Sequence, residues 1–249
     1  MKVLIITEED VFYVYEFFKT FFPLARDADY TLSGITILEP FNKKSKLDLA
    51  RQMYGFFGPL HFFTRGFLYV FRTLTGQSVR GLARKQGLTQ IPTEKVNSKT
   101  YVEQVRQHNI DLIVSIAAPQ IFKKNLIQAV PKGCINSHSA LLPENKGMMP
   151  VFWSMHKKAE FTGVTIHYIN ETIDEGDIIV QQRVPIDSSS LHAMIIKTKI
   201  LSAHLVHQTI ESIGKGDIHT EPMQKGGSYQ TFPTPREVIE FRRRGNRII

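Results

Sequence analysis

The chain has 249 residues, 42% hydrophobic and 22% charged, enough for one sizeable core and ordinary for a soluble globular protein. A single cysteine, Cys134, excludes an internal disulfide framework and a multi-thiolate metal site, and it fits a reducing, cytoplasmic setting. With 31 Lys and Arg against 23 Asp and Glu, the net charge of +8 points to an anionic partner (nucleic acid, a phosphorylated substrate or a membrane surface) or to a solvated basic face.

At the N-terminus one lysine precedes a short apolar run and then acids, so no signal peptide is expected. The β-branched run over 3–7 reads as a buried first strand, 11–22 as an aromatic-rich helix, and 31–38 as a second strand. Residues 98–109 carry Tyr101, Val102 and Val105 at helical spacing, 111–117 read as a buried strand, and "GCINSHS" as the next. A helix over 150–160 is followed by neighbouring strands over 162–170 and 177–186. A long helix follows, with Ser189 or Ser190 as cap and Leu191, Ile195, Thr198, Leu201, Leu205 and Ile213 on one face. "TPRE" at 234–237 has the cap, proline and acid of a helix start. Strands alternating with helices imply an α/β fold, a doubly wound, mostly parallel Rossmann-like sheet whose sites form at the carboxyl ends of strands.

Residues 54–76 stand apart. Leu60, Phe63, Phe67, Val70, Phe71 and Leu74 recur at helical spacing, but Pro59, His61 and Arg65 argue against a spanning helix. Three placements stay open: packing on the domain, a subunit interface, or a membrane surface with the arginines outward.

Asn136 and His138, two apart on a strand, face the same side near its end, with Ile135 turned the other way. An amide can donate to a developing oxyanion, and an imidazole can move a proton near neutral pH. The same pair could equally do no more than satisfy backbone groups.

"NSHSALLPENKG" followed by "GVTIHYINETIDEGDIIVQQRVPI" resembles the folate-dependent formyltransferases, the family of methionyl-tRNA, glycinamide ribonucleotide and amino-sugar N-formyltransferases. The signature residues are Asn136, His138, Leu141-Leu142-Pro143, Gly147, His167 and Asp174-Glu175-Gly176, with Asp174 falling 38 residues after Asn136 and seven after His167. The clear resemblance runs from about residue 111 to 213, while 40–90 align poorly. Two departures are that Ser139 and Ala140 replace the usual order after the histidine, and that "ENKG" lacks the arginine common before the glycine.

The resemblance implies a catalytic domain over 1–215 of the formyltransferase type, with an aromatic insertion around 40–90. Residues 216–249 would form an extension with a short basic helix. It implies 10-formyltetrahydrofolate as formyl donor, no metal, and a primary amine as acceptor. Asn136 and protonated His138 would stabilise the oxyanion, and Asp174 would orient His138 and hold its charge. Pro119, Gln120, Ile121 and Phe122 would meet the pterin, Gln120 and Phe122 through main-chain groups. Asn170, Glu171, Thr172 and Ile173 would close the other side, and His167 would support the loop.

For the acceptor, a small amine such as an amino sugar nucleotide is expected. Methionyl-tRNA is disfavoured because the family's tRNA enzymes carry a C-terminal barrel for which the sequence up to Ile249 leaves no room. Glycinamide ribonucleotide is disfavoured because Glu8, Glu9 and Asp10 stand where a phosphate-cradling glycine loop would be. A formyl-folate hydrolase or a non-catalytic folate binder is the third alternative. The hydrolases of the family carry an N-terminal regulatory domain, and this chain opens directly on its first strand. Residues 54–76 bear on partners, as a peripheral membrane contact or a homodimer seam.

Overall fold

The computed structural model describes residues 1–39 and 45–249. The start of the expected aromatic insertion, residues 40–44, therefore lies outside the described residues. The first half runs β1 (Lys2–Glu8), α1 (Val14–Ala25), β2 (Thr31–Leu38), α2 (Lys46–Phe57), α3 (Pro59–Leu74), α4 (Val79–Lys85), α5 (Lys99–Gln107), β3 (Leu112–Ile116) and α6 (Lys124–Ile127). The second half runs β4 (Cys134–His138), β5 (Lys146–Gly147), α7 (Pro150–His156), β6 (Phe161–Tyr168), β7 (Ile178–Pro185), α8 (Leu191–Lys215), β8 (Tyr229–Gln230) and α9 (Pro235–Arg243).

Six strands form one sheet in the order β2-β1-β3-β4-β6-β7. The first four are parallel, and β6 and β7 form an antiparallel pair added beside β4. The parallel strands are buried on both faces, which is why β1 and β3 are unbroken runs of β-branched and aliphatic residues rather than alternating ones. On one face lie α1, α4 and α8. Phe17 stacks on Phe21 and Phe18 on Phe22, each pair one helical turn apart, against Val206 and Ile210 of α8. On the other face Tyr101, Val102 and Val105 of α5 and Leu126 of α6 cover Leu4, Ile6 and Ile113. A third cluster joins α2, α7, α9 and the start of α8, with the Phe152 and Phe241 rings 4.5 Å apart.

Local chemistry sets the helix ends. Ser190 caps α8 by accepting from the Ala193 N–H, and Gly216 at φ +73 ends it in the left-handed conformation a glycine adopts without cost. The face expected for α8 is buried at every position except Leu201, which is half-buried. Helix α1 begins three residues later than 11–22 suggests. The Asp10 carboxylate accepts from the Phe12 and Tyr13 N–H groups and holds 11–13 in a turn before the helix. Thr234 and Glu237 form the reciprocal capping box at the start of α9.

Helix α3 corrects one expectation. Its apolar stripe does not pack on the domain: none of its residues is buried, and its arginines point inward rather than outward. Beyond α8, β8 pairs with β5, and Arg247 bridges to Ser190, so residues 216–249 interleave with the sheet-bearing part of the chain.

Candidate active site

Strand β4 ends at the carboxyl edge of the sheet, and its register with β6 sets Asn136 directly across from His167. That pairing produces the first contact of the site. His167 donates from Nδ1 to the Tyr168 carbonyl, 2.8 Å away, which leaves Nε2 as acceptor for the Asn136 amide at 3.2 Å. One Asn136 N–H is thus used; the second lies 3.5 Å from Asp174 Oδ1, a long contact that leaves it available to a ligand.

His138, on the same side of β4, is buried. Its Nε2 donates to the Asn145 carbonyl at 2.8 Å, and its Nδ1 faces Asp174 Oδ2 at 3.6 Å. Asn145 is itself fixed: its amide donates to Ser154 Oγ, its side-chain oxygen accepts from Lys157, and its backbone N–H donates to Ser228 Oγ. The imidazole is held from both ends.

Asp174 sits at φ +53 on the loop between β6 and β7, a left-handed conformation that an aspartate tolerates better than most residues. Its Oδ2 accepts from the Gly147 N–H at 2.8 Å, and its Oδ1 lies 3.6 Å from His167 Nε2. The Gly147 approach requires glycine: at φ +87, an added Cβ would stand 2.4 Å from the Gln230 carbonyl oxygen. Burial works against charge on Asp174, but the two imidazoles and the Gly147 N–H overturn it and hold the carboxyl down to about 2. For His138, burial outweighs the pull of Asp174 and the Asn145 carbonyl, so the ring sits below its ordinary 6.5. Asp174 pulls His138 toward its charged form, the role the family resemblance implies, and burial pulls harder the other way. Asp174 is thus placed to stabilise a proton that His138 takes up, while burial favours giving it away again.

The residues expected to hold the folate divide. Ile121, Glu171, Thr172 and Ile173 line one cleft of about 620 Å³ beside Asp174, within the range of small-molecule sites. Pro119, Gln120, Phe122 and Asn170 do not line it. Gln120 spends its side chain on the Val96 N–H and the Glu94 carbonyl, Phe122 is buried in the core, and Asn170 accepts from the Thr172 N–H to shape the loop. The main-chain groups of Gln120 and Phe122 make no hydrogen bond among the described residues. The sequence reading missed the far wall, Lys146, Gly226, Gly227 and Tyr229. Lys146 takes the place of the expected arginine and pairs with Glu175 at 2.6 Å. The glycine pair at 226–227 was the available signal: Gly227, at φ +78, brings the chain so close to Pro143 that a Cβ would lie 2.0 Å from its carbonyl oxygen.

A second group of charges lies at the end of β1, two strands from β4 and so about 10 Å away across the sheet. Glu9 is structural, accepting from the Val79 and Arg80 N–H groups at the start of α4. Glu8, Asp10 and Lys199 of α8 are crowded by protein yet partly open to water. Neither Lys199 nor the Glu8 carboxylate has a hydrogen-bond or ion-pair partner among the described residues. Burial, with Asp10 adding to it, pushes Glu8 up to about 8, and burial lowers Lys199 against the pull of the two carboxylates. Lys199 is close enough to His138 to disfavour its protonation, so the two groups of charges share one edge.

Residues 77–207 match the family model described as formyl transferase. Methionyl-tRNA formyltransferase of Geobacillus sp. (strain WCH70) is 37% identical over 148 residues, 59% of this chain and 46% of that protein. The same enzyme of Lachnospira eligens is 30% identical over 162 residues, 65% and 51% respectively. The chain spans about half the length of the curated relatives it matches. Among solved structures, a sugar N-formyltransferase from Shewanella sp. FDAARGOS_354 superposes with TM-score 0.60 at 22% identity, covering 97% of this chain and 86% of that one. Glycinamide ribonucleotide transformylase 1 from Symbiobacterium toebii does so with TM-score 0.61 at 13% identity, covering 90% and 94%. At these identities the two structures speak to the fold alone.

Proposed function

Because the chain belongs to the formyl transferase family, we propose that it transfers a formyl group from 10-formyltetrahydrofolate to the primary amine of a small acceptor, with an amino sugar nucleotide as the favoured class. The observation that carries the reading is the convergence of Asn136, His138 and Asp174, 3.5 and 3.6 Å apart through Asp174, beside a cleft of about 620 Å³. The donor's pterin lies in that cleft against Ile121 and the 170–173 loop, with the formyl carbon toward β4. The acceptor amine attacks that carbon. The free Asn136 N–H donates to the oxygen as it gains charge. His138, whose Nε2 donates to the Asn145 carbonyl, takes a proton from the amine at Nδ1 and passes it toward the folate nitrogen as that bond breaks, while Asp174, 3.6 Å from Nδ1, stabilises the transient imidazolium.

The β1 edge supports a cationic acceptor there. Once ionised, above about pH 8, Glu8 joins Asp10 in attracting an ammonium group and opposing a phosphate at that spot, and Lys199, without an ion-pair partner among the described residues, is left for an anionic part of the acceptor. A second reading, formylation of methionyl-tRNA, is favoured by the names of the curated relatives and by the basic balance of the chain. Incubation with 10-formyltetrahydrofolate and a panel of amines, several amino sugar nucleotides and methionyl-tRNA among them, separates the readings by which compound gains a formyl mass. Release of formate with no acceptor modified would instead support hydrolysis.

A further inference from the structure

We propose that the outer face of α3 docks the chain in the plane of an anionic lipid bilayer. Leu60, Phe63, Phe67 and Leu74 are 71%, 68%, 72% and 82% exposed, and with Val70 they form one continuous stripe at helical spacing. Phe71, Leu68 and Tyr69 widen it. Several aromatic and aliphatic side chains in one patch exceed what a monomer ordinarily leaves to water.

The sidedness of the helix is built in. Arg65 and Arg72 lie 4.7 and 5.6 Å from the centre of the Phe12 ring on the protein side, and Arg72 donates to the Val11 carbonyl at 2.8 Å. The polar face is consumed by the protein, so the apolar face cannot turn inward without breaking these contacts. At 16 residues, with two arginines, α3 is an in-plane element, and among the described residues no helix is long and apolar enough to cross a membrane.

Charge selects the occupant. Of the six Lys and Arg between residues 49 and 93, Arg65 and Arg72 face the protein, Arg51 pairs with Asp48 and Arg80 with Glu9 and Glu39, which leaves Arg84 and Lys85, both exposed, on the helix that follows the stripe. At the other end of the stripe, Arg242 donates to the Phe56 carbonyl at the α2–α3 corner, with exposed Arg236 and Arg243 on the same helix. A second copy of the chain docked by two-fold symmetry would set this basic fringe against itself. Anionic headgroups complement it, and the acyl boundary takes the phenylalanines.

Flotation with phosphatidylcholine vesicles, with and without phosphatidylglycerol, tests the proposal. The wild type is expected to float with the phosphatidylglycerol vesicles and to come off at high salt. The Phe63→Glu, Phe67→Glu variant should lose at least tenfold in binding with its melting temperature unchanged. Leu60→Ser with Leu74→Ser, a milder pair, should lose less, and Arg84→Gln with Lys85→Gln should weaken binding to anionic vesicles only. The proposal is overturned if the wild type does not float, if the phenylalanine variant floats equally well, or if phosphatidylglycerol and salt make no difference. It is also overturned if light scattering shows a wild-type dimer that the phenylalanine variant splits.

Discussion

Asp174 and Glu8 are both crowded carboxylates at the same edge of one sheet, yet one is held down to about 2 and the other pushed up to about 8. The difference is what surrounds them. Asp174 has a backbone N–H and two imidazoles; Glu8 has Asp10 beside it, the more distant pull of Lys199, and no hydrogen-bond donor among the described residues. Desolvation is common to both, so partners decide the sign. The Asp174 side is finished apart from one Asn136 N–H left for a ligand, each of its groups being fixed by another. The Glu8 side is incomplete: among the described residues neither the Glu8 carboxyl nor the Lys199 amine has a hydrogen-bond or ion-pair partner, and a cationic acceptor would pair with Glu8 once it ionises.

Substitutions on the finished side should cost the most. His138→Ala is expected to lower formyl transfer about 10³-fold, the scale of a lost proton-transfer group, while tetrahydrofolate affinity stays near wild type. Asn136→Ala should cost about 10²-fold or more, as loss of an oxyanion donor does, and should appear in kcat rather than in KM for the donor. Asp174→Asn keeps the shape but removes the charge, and a loss of about 10²-fold is expected from misplacement of the imidazole. The same side predicts a pH limb. Because the folded His138 lies below 6.5, its neutral form persists as pH falls past that value, and the acid limb of kcat/KM should lie below 6.5.

Glu8→Gln sharpens the other half of the contrast with a smaller effect. Glu8 is protonated below about 8 and ionised above it. The substitution should therefore raise KM for an amine acceptor about tenfold above pH 8 and change little below. Stability carries the same signature. The raised folded value favours the folded state fully below the ordinary 4.5, and that contribution is lost as pH rises through about 8. Thermal melts of the wild type should show a downward slope over that window, which Glu8→Gln flattens.

Some of this was legible in the sequence. β1 and β3 announced themselves because strands buried on both faces must be continuously apolar. Asn136 and His138 were visible as a same-face pair, whereas Asp174 entered only through the family resemblance, since nothing local ties a residue 38 positions away to that strand. The antiparallel direction of β6 was hidden, because composition carries no strand direction. The hold of Asn145 on His138 depends on a backbone carbonyl that sequence does not display. Lys199 was masked by the apolar stripe of α8. Glu8 was noticed only as a repeller of phosphate, and its lack of a partner became apparent from the packing around it.

The most direct test supplies ¹³C-formyl-labelled 10-formyltetrahydrofolate and a set of amine acceptors to the wild type and to His138→Ala, and follows the label by mass spectrometry. The expected result is labelled N-formyl product from the wild type and next to none from a variant that still binds tetrahydrofolate. Equal turnover by both proteins would contradict the role given to Asn136, His138 and Asp174.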